Sequence, residues 1–555
     1  MKRTLIFLSR SKVLPYVLIL VGLTIAWLGY SLFRSYRYWA ITGQLDDEMG
    51  SAMRNGLLVI ASVGALAFLG HWIWRASSGH ENTSSMRPAV GTPTAIATSV
   101  NPDVARVLAG TGERYALEIR AIGLAVSGRH QDTVWKQLKE KNNNFESLLS
   151  ADADEYGASR DQRRIFSQVD TGAAFRYAAG EAVDHWPIPV IIVGPPRGAD
   201  TPWDRAASRI VDARQKAGLG VTEFLWLSDH NTTSAAPAVT ELFEFFDKHP
   251  DVPAALLVSQ DGMQYRWHKL TPGTPPEPPG PFIPPIPDSM GGLLVTRTDR
   301  VDRLVRPYAV QMTADIDKTK TQYDVVKQWN FYWDKDTQAQ RDAEARGEYE
   351  PGTMKADWWI SQLPELWKQI GNKGPGDFKP SPFLPVRWAN WQVEEFDEAP
   401  RLGYLHRPVE VKLTDDHGKP LKRADEAQRL QDGWKQALAT LPEGVKPARV
   451  FYDTTLDRAW AIPLTQALRG DGLDLGNVEE GYDIGRRIGN TGVSSALVQL
   501  CLATVAGYEQ GGASATVNLI DGKSASIVMV SPPDAASKAA NQKNRGPNPF
   551  KYRTP

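Results

Sequence analysis

The chain is short of the residues that most enzymes and metal sites are built from. Cys501 is the only cysteine in 555 residues. One thiol excludes an intramolecular disulfide and any multi-thiolate zinc site. The nine histidines include no His-x-x-x-His pair and no His–Cys cluster, so no metal site is expected. Charge of one sign is also lacking: 63 basic side chains face 64 acidic ones, a net charge of −1. Without a basic field to gather phosphates, nucleic acid is excluded as a primary partner. Gly194-Pro195-Pro196-Arg197-Gly198 lacks the Lys-Ser/Thr ending of a phosphate loop. Asp152-Ala153-Asp154 with Gly157 hints at a calcium loop, but Arg163 stands where its twelfth ligand should be glutamate. Ser228-Asp229-His230 are sequence neighbours, whereas a catalytic triad gathers residues from separate elements, so they read as a polar turn. No cofactor is expected.

What the chain does have is apolar length near its start. Val13 to Phe33 carries no charge, and at about 1.5 Å per residue it spans a bilayer core of about 30 Å. Gly56 to Trp74 is a second such run, interrupted only by His71. Tyr30, Tyr36, Trp39, Trp72 and Trp74 sit near the ends, where aromatic rings favour the headgroup zone. A second span close behind the first, and the absence of a small-x-small cleavage site, argue against a signal peptide. Lys2, Arg3, Arg10 and Lys12 precede the first span, and Arg34, Arg37 and Arg54 lie between the two. That balance places both ends, and the large domain, on the cytoplasmic side of the membrane.

Residues 1–75 thus read as a membrane anchor and 76–109, rich in Ser, Thr, Pro and Gly, as a linker. Residues 110–270 form a first α/β lobe, in which Pro189 to Val193 and Pro253 to Ser259 are buried strands alternating with amphipathic helices. Nine prolines between Thr271 and Pro287 mark 271–290 as a linker. Residues 291–400 are a Trp-rich middle region with helical patches at Gln322–Trp333 and Thr337–Arg346. The chain's 18 tryptophans are read chiefly as packing residues, with an exposed aromatic interface as the alternative. A second α/β lobe covers 401–533 and ends in a hairpin turned by Asp521-Gly522. Residues 534–555 read as a polar, mobile tail.

In the second lobe the helix WKQALATL, the strand ARVFYDTTLD and the stretch GRRIGNTGVSSALVQLCLATVAGYEQGG resemble the C-terminal half of a thiolase or β-ketoacyl synthase. The resemblance implies two thiolase-like lobes. Where those enzymes carry active-site histidines, this chain has Asp453-Thr454-Thr455 and Gly489-Asn490-Thr491-Gly492. These seven residues mark a vestigial site or binding loop. The free N–H groups at that helix start would attract an anion, and an ordinary capped helix start is the plainer alternative. Cys501 falls within an apolar helical run and reads as a small buried hydrophobe, not a nucleophile. The lobe is expected to be non-catalytic.

Longer blocks, LEIRAIGLAV, PVIIVGPPRGADTPWD, FFDKHPDVPAALLVSQDG, RLGYLHRPVEVKL and IGNTGVSSALVQL, resemble the type VI secretion lipase adaptor family over about residues 110–531. That resemblance implies a non-catalytic adaptor with a phospholipase effector and a secretion spike protein as partners. The two spans depart from it, since a freely diffusing adaptor needs none; here they would tether the adaptor to the lipid bilayer of a bacterial inner membrane. An enzyme acting on acyl thioesters and a structural envelope protein are the alternatives.

Overall fold

The computed structural model describes residues 115–551, apart from short stretches of which 207–223 and 313–324 are the longest, together with Thr24 and Trp27. The chain divides into two units, Met1–Ile96 and Ala97–Pro555, and all the strands and helices named below belong to the second. The expected spans, 13–33 and 56–74, and the linker at 76–109 lie outside the described residues. Among the described residues no helix is long and apolar enough to cross a membrane.

In chain order the first half contains β1 (Ala116–Val126), β2 (Arg129–His130), α1 (Asp132–Lys141), α2 (Arg160–Ala179), β3 (Ile188–Gly194), β4 (Phe224–Asn231), α3 (Ala236–Lys248), β5 (Ala254–Asp261), α4 (Met263–His268) and β6 (Ser289–Thr296). Helices α5 (Val325–Ala345), α6 (Ala356–Ile370) and α7 (Asn390–Glu398) follow. The second half contains β7 (Gly403–His406), β8 (Val409–Lys412), α8 (Arg423–Leu438), β9 (Pro447–Tyr452), α9 (Ala461–Leu468), β10 (Gly481–Asp483), α10 (Ser495–Gln510), β11 (Ala513–Ile520), β12 (Ser524–Ser531) and α11 (Ala535–Arg545).

One 12-stranded sheet runs through both halves; ten strands follow the order β10-β9-β11-β12-β7-β1-β6-β5-β3-β4, and β2 and β8 pair with β1 and β12 off this path. The order conceals a repeat. Numbering the main strands of each half one to five gives 3-2-4-5-1 twice, as β4-β3-β5-β6-β1 and as β10-β9-β11-β12-β7. The strand senses repeat as well: β3 is parallel to β4 and β5, just as β9 is parallel to β10 and β11. In each half the fourth, fifth and first strands then run antiparallel. The halves join where their first strands, β1 and β7, pair antiparallel from Ala116↔His406 to Ile119↔Gly403.

Sequence explains why the sheet is covered on both faces. All residues of β1 and β6 are buried, as expected of strands with apolar side chains on both sides. Helix α2 lies against one face, so close that a Cβ at Gly123 would meet the Ala174 carbonyl oxygen at 2.1 Å. Helix α10 lies against the other face and is buried from Ser495 to Gly507. A Cβ at Gly291 would stand 2.6 Å from that of Leu497, so glycine is what lets α10 settle there.

Several sequence boundaries shift. Strand β6 belongs to the first half, because GGLLV pairs with β5 on one side and β1 on the other. The expected middle region therefore begins only after Thr296. Residues 271–287 are not a linker but a strap tied onto the first half. Trp267 Nε1 donates to Pro275 O at 2.7 Å, and Arg163 donates to Pro278 O at 2.7 Å and Gly280 O at 3.0 Å. The strap fills the β5–β6 connection, where the second half has only Asp521-Gly522-Lys523 between β11 and β12. The two helical patches after 320 are one helix, α5. Ser228-Asp229-His230 lie within β4 and not in a turn.

Trp359 and Trp388 of the middle region are core, Trp358, Trp367 and Trp391 are half-buried, and Trp333 is exposed. Trp186 and Trp388 stack at 5.8 Å, and Tyr332 meets Trp359 edge-on at 4.9 Å. The described part of the tail, as far as Lys551, is docked. Asn541, buried on α11, bonds both the N–H and the carbonyl of Arg401, and Phe550 is buried against Tyr508.

Candidate functional site

The two equivalent helices, α3 and α10, each follow the third strand of their half, and their starts converge. The N–H of Ala235, just before α3, donates to Val493 O at 3.1 Å. A turn over Gly492–Ser494 leads into α10, and here the sequence places a candidate anion site.

An anion already occupies that position, supplied by the chain itself. Asp261, at the end of β5, accepts the N–H of Val493 at 2.7 Å. The same carboxylate accepts Arg266 Nε at 2.7 Å, Arg266 Nη2 at 2.8 Å and the N–H of Gly262 at 2.7 Å. Its side chain is fully buried. Gly492, at φ 57°, makes room: a Cβ there would lie 2.1 Å from Asp261 Oδ2. The helix start is thus capped from the opposite half, and the positive end of its dipole is neutralised. Sequence reading missed Asp261 and Arg266, although Asp261-Gly262 closes one of the quoted blocks. The signal for a site lay in the Asp-Gly pair at the end of a buried strand; the partner lies more than two hundred residues away.

The seven residues singled out in the second lobe form two groups, linked through Ser495, which follows the second group. Ser495 Oγ donates to Asp453 Oδ2, joining the 453–455 loop to the start of α10. Asp453 also accepts the N–H of Thr455 at 2.7 Å. Thr454 donates through its hydroxyl and its N–H to Asp483, whose carboxyl is pushed up by burial. Asn490 Oδ1 accepts the N–H of Gly492 at 3.0 Å. Thr491 is buried and its carbonyl accepts Ser289 Oγ at 3.1 Å. Gly489 has φ 116° and sits against Leu149. Several of their polar atoms are satisfied by neighbouring elements, whereas Thr491 Oγ1 is buried without a hydrogen-bond partner.

Cys501 is fully buried in α10, and its Sγ faces the carbonyls of Gly292 and Gly123 at 3.5 and 3.8 Å. Burial pushes the thiol up to about 12, so at neutral pH it carries almost no thiolate. His406 is buried too. Its Nδ1 donates to Thr440 O at 2.9 Å and its Nε2 accepts Ser531 Oγ at 2.7 Å, a neutral tautomer. Burial pushes His406 down to about 4. Among the described residues no cluster of His, Cys, Asp and Glu could hold a metal ion.

Strand order and site define a mixed α/β protein of duplicated plan whose central helix start is capped internally. Two family models match the chain. The N-terminal domain of type VI lipase adapter protein Tla3 matches residues 115–279, and its C-terminal domain matches residues 402–532. The chain belongs to this type VI lipase adapter family. Among solved structures, a ketosynthase from module 6 of the bacillaene synthase of Bacillus subtilis is 9% identical, covering 76% of this chain and 70% of that one at a TM-score of 0.38. OleA of Xanthomonas campestris is 11% identical, covering 75% of this chain and 98% of its own at 0.35. A type II polyketide ketosynthase in complex with its acyl-carrier protein is 10% identical, covering 75% and 99% at 0.36. The fold assignment rests on strand order and not on these likenesses.

Proposed function

We propose that the protein is a non-catalytic adaptor that binds a phospholipase effector and brings it to the spike of a type VI secretion machine. The observation that carries this reading is that both halves match models of the lipase adapter family. The site geometry supports it: the start of α10 is closed by Asp261, and the one thiol is sealed between two carbonyls. An acyl-thioester enzyme would need a thiolate or an open anion hole at such a helix start. We further propose that the spans at 13–33 and 56–74 tether the adaptor to the inner membrane, with its large domain in the cytoplasm.

The reading is tested by immunoprecipitating the tagged chain from secreting cells and identifying its companions by mass spectrometry. Recovery of a lipase effector, with or without a spike component, is expected. Recovery of neither counts against the adaptor. Phosphatase and β-galactosidase fusions at Pro555 test the orientation, and a periplasmic result would overturn it.

A further inference from the structure

A cavity of about 450 Å³ opens between α2, α4 and the proline-rich strap. It exists because of the β5–β6 insertion, which the second half of the repeat lacks. Three large apolar side chains on its α2 rim remain half exposed: Ile165 at 51%, Phe166 at 51% and Val169 at 59%. Leaving such side chains in water beside a cavity is the signature of a recognition surface, not of ordinary scatter. Trp267 and Phe282, with rings 5.7 Å apart, line the strap side.

The lining is acidic beneath this rim. Glu155, Asp170 and Asp288 contribute carboxylates. The cation in the lining, Arg163, is engaged by Glu277 at 3.1 Å and by three backbone carbonyls, so it does not neutralise them. Asp170 accepts the N–H of Gly128 at 2.6 Å and lies 3.1 Å from His130 Nε2. Asp288 is held by Ser167 and the N–H of Gln264, yet its Oδ1 is buried without a hydrogen-bond partner. Burial, then the neighbouring Asp170, push the Asp288 carboxyl up to about 7. The Oδ1 oxygen packs against Gly262, where an added Cβ would lie 2.2 Å from it, so a cation entering the cleft meets the charge of the Asp288–Asp170 pair rather than that oxygen, and its approach favours the ionised form.

We propose that this cleft seats a segment of a partner protein presenting a lysine or arginine flanked by apolar side chains, with the cation drawn into the field of Asp288 and Asp170 and the apolar groups on Ile165, Phe166 and Val169. Charge decides between occupants: acids in the cavity repel anionic lipid headgroups and attract a basic side chain. Naming the lipase effector as the donor of this segment rests on the adaptor reading; the chemistry of the cleft does not.

Two titrations of the full chain in detergent test the proposal separately from that reading. The first uses the lipase effector. Phe166→Asp/Val169→Asp and Asp288→Asn should each weaken binding at least tenfold, with thermal unfolding of the double variant unchanged. Affinity within twofold of the parent in both would overturn the lipase as occupant. The second uses two synthetic peptides, acetyl-Ile-Leu-Lys-Leu-Ile-amide and its counterpart with Glu for Lys. The Lys peptide should bind saturably below about 1 mM, and its advantage over the Glu peptide should vanish in Asp288→Asn. Equal binding of both peptides, or of neither, would overturn the cleft, even where the lipase still binds elsewhere. Failure of the parent chain to bind lipase would sink the adaptor reading alone, leaving the peptides to judge the cleft. If the double variant instead abolishes anionic-vesicle binding or self-association, the occupant is a membrane or a second copy and the proposal fails.

Discussion

Replacing Asp261 with alanine should unlock the junction between the halves. The carboxylate accepts four hydrogen bonds, from Arg266 Nε and Nη2 and from the N–H groups of Gly262 and Val493, all between 2.7 and 2.8 Å. Removing one partner of a buried ion pair costs about 3–5 kcal/mol. Each orphaned N–H adds about 1–3 kcal/mol, but these losses share one cause and do not add. Arg266 is 20% exposed, so water recovers part of its solvation. The expected net loss is about 4 kcal/mol for Asp261→Ala, and about 1–3 kcal/mol for Asp261→Asn, which keeps an acceptor in place. Urea unfolding of the full chain in detergent, followed by tryptophan fluorescence and compared at constant slope, measures both. Added formate should enter the vacated pocket, restore part of the alanine variant's stability and leave the parent unchanged. An alanine variant within about 0.5 kcal/mol of the parent would refute the reasoning, as the capping carboxylate would then carry no weight.

Other outcomes follow from buried groups. His406 is held neutral with its titration pushed down to about 4, whereas unfolded histidine titrates near 6.5. Between those values the unfolded chain binds the extra proton, so stability is full above about pH 6.5 and falls by about 3 kcal/mol as pH drops to 4. His406→Gln should remove that component from a pH series of unfolding midpoints. Cys501 should resist a neutral maleimide at pH 8 and react only after denaturation; rapid labelling of the native chain would contradict its placement. Arg120 is buried, bonded to Glu118 at 2.7 Å and to the carbonyls of Phe396 and Ala399. Arg120→Met should cost about 3–5 kcal/mol, with part recovered on adding Glu118→Gln, as read by a double-mutant cycle.

Elements whose signal is local were readable in the sequence. The apolar runs of β3 and β5 declare buried strands, and Asp521-Gly522 declares the β11–β12 turn, where both residues take positive φ. The burial of Cys501 also followed from its run of apolar neighbours. What escaped is non-local. Strand β6 finds its partners β5 and β1 across long stretches of chain, and the prolines before it disguise a strap as a linker. Phe550 is one apolar residue in a polar stretch, with no periodicity to show that it is buried. Asp261 looks like half of an ordinary turn signal until Val493 arrives from the other half. The repeat of strand order leaves no repeat of residues: the β5–β6 connection is a long strap in one half and a tight turn in the other.

The adaptor proposed above binds a lipase and performs no chemistry of its own. The direct measurement is titration of the purified full chain with the lipase effector, alongside an assay of acyl-CoA turnover by the chain alone. A saturable complex at micromolar affinity or tighter, roughly −8 kcal/mol or better, with no turnover, is the predicted result. Turnover of an acyl thioester without lipase binding would contradict it.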